Sequence, residues 1–201
     1  DSGRAFLSKG LLDQAKKAAD ANVSHFASLL TPEKPLIGIE PSAILTFRDE
    51  YIRLASDKSA ALELKDKVFL LEEFLVAEAK KGNITAADFS AEHREIHLHG
   101  HCHQKALAGV DPTAFILSLP ENYTVQVIPS GCCGMAGSFG YEKDKYELSM
   151  QIGEMVLFPA VRKTSESCVI AAPGTSCRHQ ILDGTGRTAR HPAEILLEAL
   201  V

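Results

Sequence analysis

The chemistry in this 201-residue chain is concentrated in its cysteines, which stand at positions 102, 132, 133, 168 and 177. An odd number of cysteines with no secretory feature disfavours a disulfide framework and favours metal binding or thiol chemistry. Cys132 and Cys133 are adjacent within Ser130-Gly131-Cys132-Cys133-Gly134, where glycines let the backbone turn tightly and approach a bulky ligand. Cys102 follows the apolar run Ile96 to His99, and Cys177 follows Val169 to Ala172 through Pro173-Gly174-Thr175-Ser176. Four thiolates suit a soft or borderline centre, an iron-sulfur cluster or zinc, whereas calcium and magnesium require oxygen donors. The intervals are 29 residues between Cys102 and Cys132 and 43 between Cys133 and Cys177. They match neither the compact ferredoxin run nor paired C-x-x-C zinc knuckles.

The elements that must position these residues read as an α/β alternation. Apolar side chains at helical spacing from Leu7 to Leu30 predict a helix over residues 5 to 31, stopped by Pro32. Pro35 to Ile39 is a short buried strand, and the turn Glu40-Pro41-Ser42 feeds a helix, with Ser42 as its expected cap. Helices are expected over about 43 to 55 and 59 to 81, the latter closed by Lys80-Lys81-Gly82. A polar linker covers 83 to 95. Strands then alternate with helices: Ile96 to His99, a helix over about 112 to 119, Tyr123 to Pro129, a long helix over about 142 to 163, Val169 to Ala172, and helices near 176 to 183 and 192 to 200. Such alternation predicts parallel sheets flanked by helices. All four of Cys102, Cys132, Cys133 and Cys177 then sit past the C-terminal ends of strands, where helix N-termini favour anionic ligands.

Composition limits the partners. A hydrophobic fraction of 45% with 23% charged residues suits a globular chain, and a net charge of -5 excludes the clustered basic surface that nucleic acid requires. No apolar run approaches the roughly 20 residues of a bilayer span. No N-terminal secretion signal is evident, so the chain is expected in the cytoplasm, with peripheral attachment to the inner membrane compatible with that. It starts at Asp1-Ser2-Gly3 without an initiator Met and reads as a piece of a longer polypeptide.

An internal echo organises the chain. Asp1-Ser2-Gly3 and Pro41-Ser42-Ala43 in the first half answer Cys132-Cys133-Gly134 and Thr175-Ser176-Cys177 in the second, with intervals of 40 and 43 positions from Gly to the last residue. We expect residues 1-90 to form a degenerate, cysteine-less copy and 91-201 the cysteine-rich unit.

The segment His101-Cys102-His103, the Cys132-Cys133-Gly134 triplet and the distal Cys177 resemble the CCG (cysteine-rich) domain of heterodisulfide reductases, glycolate oxidase iron-sulfur subunits and anaerobic glycerol-3-phosphate dehydrogenase. The strings Gly131 to Tyr141 and Ala172 to Gln180 look closest to the C-terminal part of large FAD-linked oxidases, and the likeness extends to Gly3-Arg4, Lys9 to Leu12 and Glu40-Pro41-Ser42. Two departures stand out: the distal C-x-x-C is reduced to Gly174-Thr175-Ser176-Cys177, and Asp1-Ser2 and Ala43 replace cysteines in the first repeat. The resemblance implies paired α/β repeats, a cluster of the 4Fe-4S type on Cys102, Cys132, Cys133 and Cys177, and electron transfer beside a flavin domain that oxidises 2-hydroxy acids. FAD-binding and ferredoxin-like domains are then expected upstream in the parent polypeptide, with an electron acceptor downstream.

Around this centre His99, His101 and His103 share one face if the strand continues through them, leaving open a second metal site or polar turn residues. His101 or His103 is the expected hydrogen-bond donor to cluster or cysteine sulfur. Arg178 is placed either to neutralise cluster charge or to meet solvent. Cys168, opening a buried strand, is read as structural, and His191 as a helix-entry residue. The leading expectation is an electron-transfer module with no catalytic residue of its own; a structural zinc domain is the alternative. Thiol-disulfide chemistry at Cys132-Cys133 ranks last, because the vicinal ring is strained and no Lys or Arg stands out in sequence to lower a thiol pKa.

Overall fold

The computed structural model describes all residues, Asp1–Val201, as two compact units, Asp1–Leu71 and Glu72–Val201. The first holds α1 (Arg4–Ser8), α2 (Leu12–Ala27), β1 (Leu36–Gly38), α3 (Pro41–Ile44), a 3-10 turn at Leu45–Phe47, α4 (Glu50–Leu54), α5 (Lys58–Lys65) and β2 (Val68–Leu70). Its apolar stripe is the one the spacing predicts, with Ala15, Ala19 and Val23 of α2 buried. The expected single helix over 5 to 31 is two, because the chain turns at Gly10 with φ 70°. Glu40, not Ser42, caps α3: its Oε1 accepts from the Ser42 backbone N–H at 3.2 Å.

The reading of 59 to 81 as one helix is wrong in the middle. Val68–Leu70 pairs in parallel with Leu36–Gly38, and Val68 and Leu70 are buried. Three residues are too few for a period-two signal to stand out against helical flanks, so tertiary pairing decides the segment.

The second unit contains α6 (Leu71–Lys80, from Glu72 onward), β3 (Arg94–Leu98), α7 (Cys102–Leu107), α8 (Asp111–Leu117), β4 (Tyr123–Val127), α9 (Tyr146–Met155), α10 (Leu157–Arg162), β5 (Val169–Ala171), α11 (Thr175–Thr185), β6 (Ala189–Arg190) and α12 (Pro192–Ala199). Its four strands are all parallel, in the order β4-β3-β5-β6. Successive side chains point to opposite faces, so Ile170 joins one core and Ala171 the other. Leu157, Phe158, Val161 and Ile181 from α10 and α11 cover the first face. Ile116, Leu117, Ile195 and Leu196 from α8 and α12 cover the second. Leu75, Val76 and Ala79 of α6 pack on that second core, which is why the compact unit begins near residue 72 rather than at the polar segment near 90. No helix is long and apolar enough to cross a membrane.

Glu72, in the first turn of α6, is 1% exposed, and neither of its carboxylate oxygens has a hydrogen-bond partner. Burial pushes its pKa from the ordinary 4.5 up to about 7, with Glu73 adding in the same direction. A raised folded-state value means that the native state holds the proton. The resulting stability is fully present below the unfolded pKa and is lost as pH rises through about 7. Glu72→Gln removes this loss: relative to wild type, the variant gains roughly 3 kcal/mol between pH 5 and pH 8 by urea unfolding. Parallel pH dependence in the two proteins would show that the carboxyl ionises freely.

Candidate metal centre

The chain enters the sheet at β3, steps to β4 on one side, then returns to β5 on the other side of β3. Strand order therefore reverses between β3 and β5, and ligands of open parallel sheets bind in the crevice outside such a point. Cys102 follows β3, Cys132 and Cys133 follow β4, and Cys177 follows β5. Adjacent strands bring their loops together, so sulfurs distant in sequence become neighbours.

Each sulfur has its own support. Cys102 is the first residue of α7, capped by His101: the His101 Nδ1 accepts from the His103 backbone N–H at 3.2 Å, and Gln104 Oε1 accepts from the His101 N–H at 3.2 Å. The buried Gln104 donates in turn to Thr113 Oγ1 at 2.7 Å, which fixes the helix start. Cys177 lies in the first turn of α11 and is 1% exposed.

Cys132 and Cys133 ride on a loop held from behind. Gly134 adopts φ 106°, and a Cβ there would stand 2.1 Å from the Ser149 carbonyl oxygen. Ser149 Oγ donates to the Gly134 carbonyl at 2.9 Å, and Gln180 Nε2 donates to the Ser149 carbonyl at 3.0 Å. The Gly134 N–H points at Cys132 Sγ, 3.3 Å away. Gly134→Ala is expected to lower unfolding free energy by roughly 2–4 kcal/mol, combining backbone strain with a backbone clash. Urea titration reads this directly, and a change under about 0.5 kcal/mol would mean that the loop is not held against α9.

The four thiols act on one another electrostatically. Cys132 is pulled well below the usual thiol range, first by Cys102, then by Cys133 and by the backbone N–H groups of Gly134 and Ala136. Cys177 is pulled down by Cys133 against its own burial, with His99 adding to the effect. Cys102 and Cys133 are pushed up, each chiefly by its pairing with Cys132. Four adjacent negative charges would repel, so the four thiols do not all ionise together.

Two further residues belong here. Lys105 Nζ donates to the carbonyls of Ser130 and Gly131, the latter at 2.9 Å, just before Cys132. Burial pushes the Lys105 pKa down, while the sulfurs of Cys177, Cys102, Cys132 and Cys133 oppose that. No Lys or Arg stands out in sequence beside Cys132 and Cys133, and the fold supplies Lys105. The missed signal is helical: Lys105 is three positions after Cys102 and shares its face once α7 begins there. The second residue is His99. A ring nitrogen of His99 and the sulfurs of Cys133 and Cys177 lie within 4.8 Å of one another, all three residues buried.

The other expected neighbours have different duties. β3 ends at Leu98, so His99, His101 and His103 do not share a strand face. His101 is the α7 cap, its ring over Gly174, and His103 contributes its backbone N–H to that cap. Arg178 donates to the carbonyls of Ala172 at 3.0 Å and Pro173 at 2.8 Å and to Thr175 Oγ1, bracing the turn into α11. Cys168 is buried apart from the four, with His97 and Glu95. His191 caps α12, its Nδ1 accepting from the Ala193 N–H at 3.0 Å.

In the first unit, Asp1, Ser2 and Ala43 line one cavity of about 360 Å³ with Phe26, Ile44 and Phe47. The three positions that echo the cysteines thus converge as the cysteines do.

The chain is similar to known dehydrogenases. It is 28% identical over 200 residues to D-2-hydroxyglutarate dehydrogenase of Escherichia coli (strain K12), covering 99% of this chain and 19% of that protein. The D-2-hydroxyglutarate dehydrogenase of Pseudomonas putida is 28% identical over 198 residues, covering 98% and 18%. A subunit of the anaerobic glycerol-3-phosphate dehydrogenase of Escherichia coli (strain K12) is 25% identical over 199 residues, covering 98% and 49%. The chain thus spans about a fifth of the first relatives and about half of the last. No protein-family model matches the chain, and no solved structure does. These relatives are all named as dehydrogenases or a dehydrogenase subunit.

Proposed function

We propose that this chain is the electron-relay unit of a flavin- and iron-sulfur-dependent oxidoreductase of the CCG type, with Cys102, Cys132, Cys133 and Cys177 holding an iron-sulfur cluster of the 4Fe-4S type. The observation that carries this reading is the convergence of four cysteines past the ends of the adjacent strands β3, β4 and β5, with Lys105 bound to the loop before Cys132, at the reversal of strand order. The donor set fits: all four are sulfurs, two are already pulled toward thiolate, and a cation is at hand to offset the charge.

When bound, the cluster would accept and release electrons singly. The chain's own residues do the rest: the Gly134 N–H addresses Cys132, Lys105 pins the approach to the pair, and Met135, Leu157 and Ile181 belong to the apolar core that also contains Cys133 and Cys177. None of these side chains has to act as acid, base or nucleophile.

The D-2-hydroxyglutarate dehydrogenases among the relatives support a 2-hydroxy acid as substrate of the parent protein. Upstream FAD-binding and ferredoxin-like domains and a downstream electron acceptor complete the proposed relay. The first unit, which has no cysteine, is the degenerate copy and binds no cluster. The parent is assigned to the cytoplasm.

A structural zinc site is the second reading, favoured by the mixed sulfur and nitrogen surroundings of Cys177. Anaerobic reconstitution of the full chain with iron and sulfide separates the two. The expected result is bound iron with acid-labile sulfide in equal amount and a low-temperature electron paramagnetic resonance signal on reduction. Zinc uptake without iron or sulfide would overturn the relay.

A further inference from the structure

We propose that His99 Nε2 is a fifth protein donor to this centre, binding metal at its buried end beside Cys133 and Cys177. The inference rests on the iron-sulfur reading and extends its ligand set from sulfur to nitrogen.

The four sulfurs are graded in depth. Cys102 is exposed and Cys132 half-buried, whereas Cys133 and Cys177 are buried, and His99 is 0% exposed at the same end. His99 follows β3 directly, and its backbone N–H donates to the Ala171 carbonyl at 2.8 Å, so its position is set by the sheet itself.

The ring has one nitrogen engaged and one left over. Nδ1 is 2.7 Å from Ser130 Oγ, and Ser130 is itself 7% exposed. Nε2 is fully buried and has no hydrogen-bond partner. A buried nitrogen is costly to leave unpaired, and a metal satisfies it. Anchoring of the far ring nitrogen by a neighbouring oxygen is what orients a ligating histidine. With Nδ1–H donating to Ser130 Oγ, the lone pair of Nε2 is free for the metal. In the opposite tautomer Nε2–H would instead donate to a cysteine sulfur, and the two arrangements differ in whether nitrogen touches metal.

Position 174, at the turn into α11, offers no competing donor. A Cβ at Gly174 would lie 2.4 Å from His101 Cδ2 and 3.2 Å from Cys177 Sγ, so no side chain of any kind fits there while the His101 ring is in place. At this buried end a His99 ring nitrogen lies within 4.8 Å of the sulfurs of Cys133 and Cys177. Imidazole and thiolate together suit iron, as they would zinc.

The test uses the full chain, labelled with 15N-histidine, loaded anaerobically with iron and sulfide and reduced. Pulsed electron paramagnetic resonance should show nitrogen coupled as a direct ligand, with the isotope changing the pattern. X-ray absorption at the iron edge should show a light scatterer beside sulfur in the oxidised protein, whatever its spin state. His99→Cys should keep iron and lose the nitrogen signal, and His99→Gln should weaken iron retention at least tenfold. Iron-loaded wild type without bound nitrogen, or a nitrogen signal that persists in His99→Cys, overturns the proposal and leaves the iron-sulfur reading standing. Wild type that takes up no iron overturns both, and does so before any variant is made.

Discussion

Cys177→Ser leaves the anaerobically reconstituted chain without its iron and acid-labile sulfide. Cys177 is 1% exposed and sits within the first turn of α11, so bulk water has no ready access to take its place. A serine hydroxyl is a hard and weakly acidic donor where a soft thiolate is needed. Loss should be near complete, whereas Cys168→Ser should retain iron at the wild-type level, because Cys168 sits with His97 and Glu95 and not with the other thiols. Metal analysis of the two variants side by side decides the matter. Full loading of Cys177→Ser, or loss in Cys168→Ser, would reassign the ligands.

Lys105→Gln is expected to make the centre harder to reduce. Its ammonium is held by the carbonyls of Ser130 and Gly131, within electrostatic reach of the four sulfurs, and a positive charge favours the more negative, reduced state. Taking an effective dielectric near 20, removal of one such charge shifts a one-electron midpoint downward by roughly 50–100 mV. Glutamine keeps a donor for the carbonyls, so the loop that carries Cys132 should stay in place. Redox titration followed by electron paramagnetic resonance measures the shift. An unchanged potential with unchanged iron would show that Lys105 serves the loop alone.

Four of the six strands are legible in the residues. β1, β3, β4 and β5 stand out as short runs rich in apolar and β-branched residues between turn residues. β2 and β6, three and two residues long, do not, since so brief a strand is defined by its partner and not by its own composition. The helix at Cys102 is hidden for a different reason: its cap is a histidine, paired with Gln104, in place of the usual Ser, Thr, Asp or Asn. With that helix unseen, the cation on its face is unseen too.

Residue types alone pointed to soft-donor chemistry at Cys102, Cys132, Cys133 and Cys177 and placed each after a strand, because thiols and apolar runs are local facts. Only the tertiary structure decided that β3 lies between β4 and β5, and therefore that those thiols meet. Only it brought Lys105 and His99 to them, since strand order and ring burial arise from contacts between segments far apart in the chain.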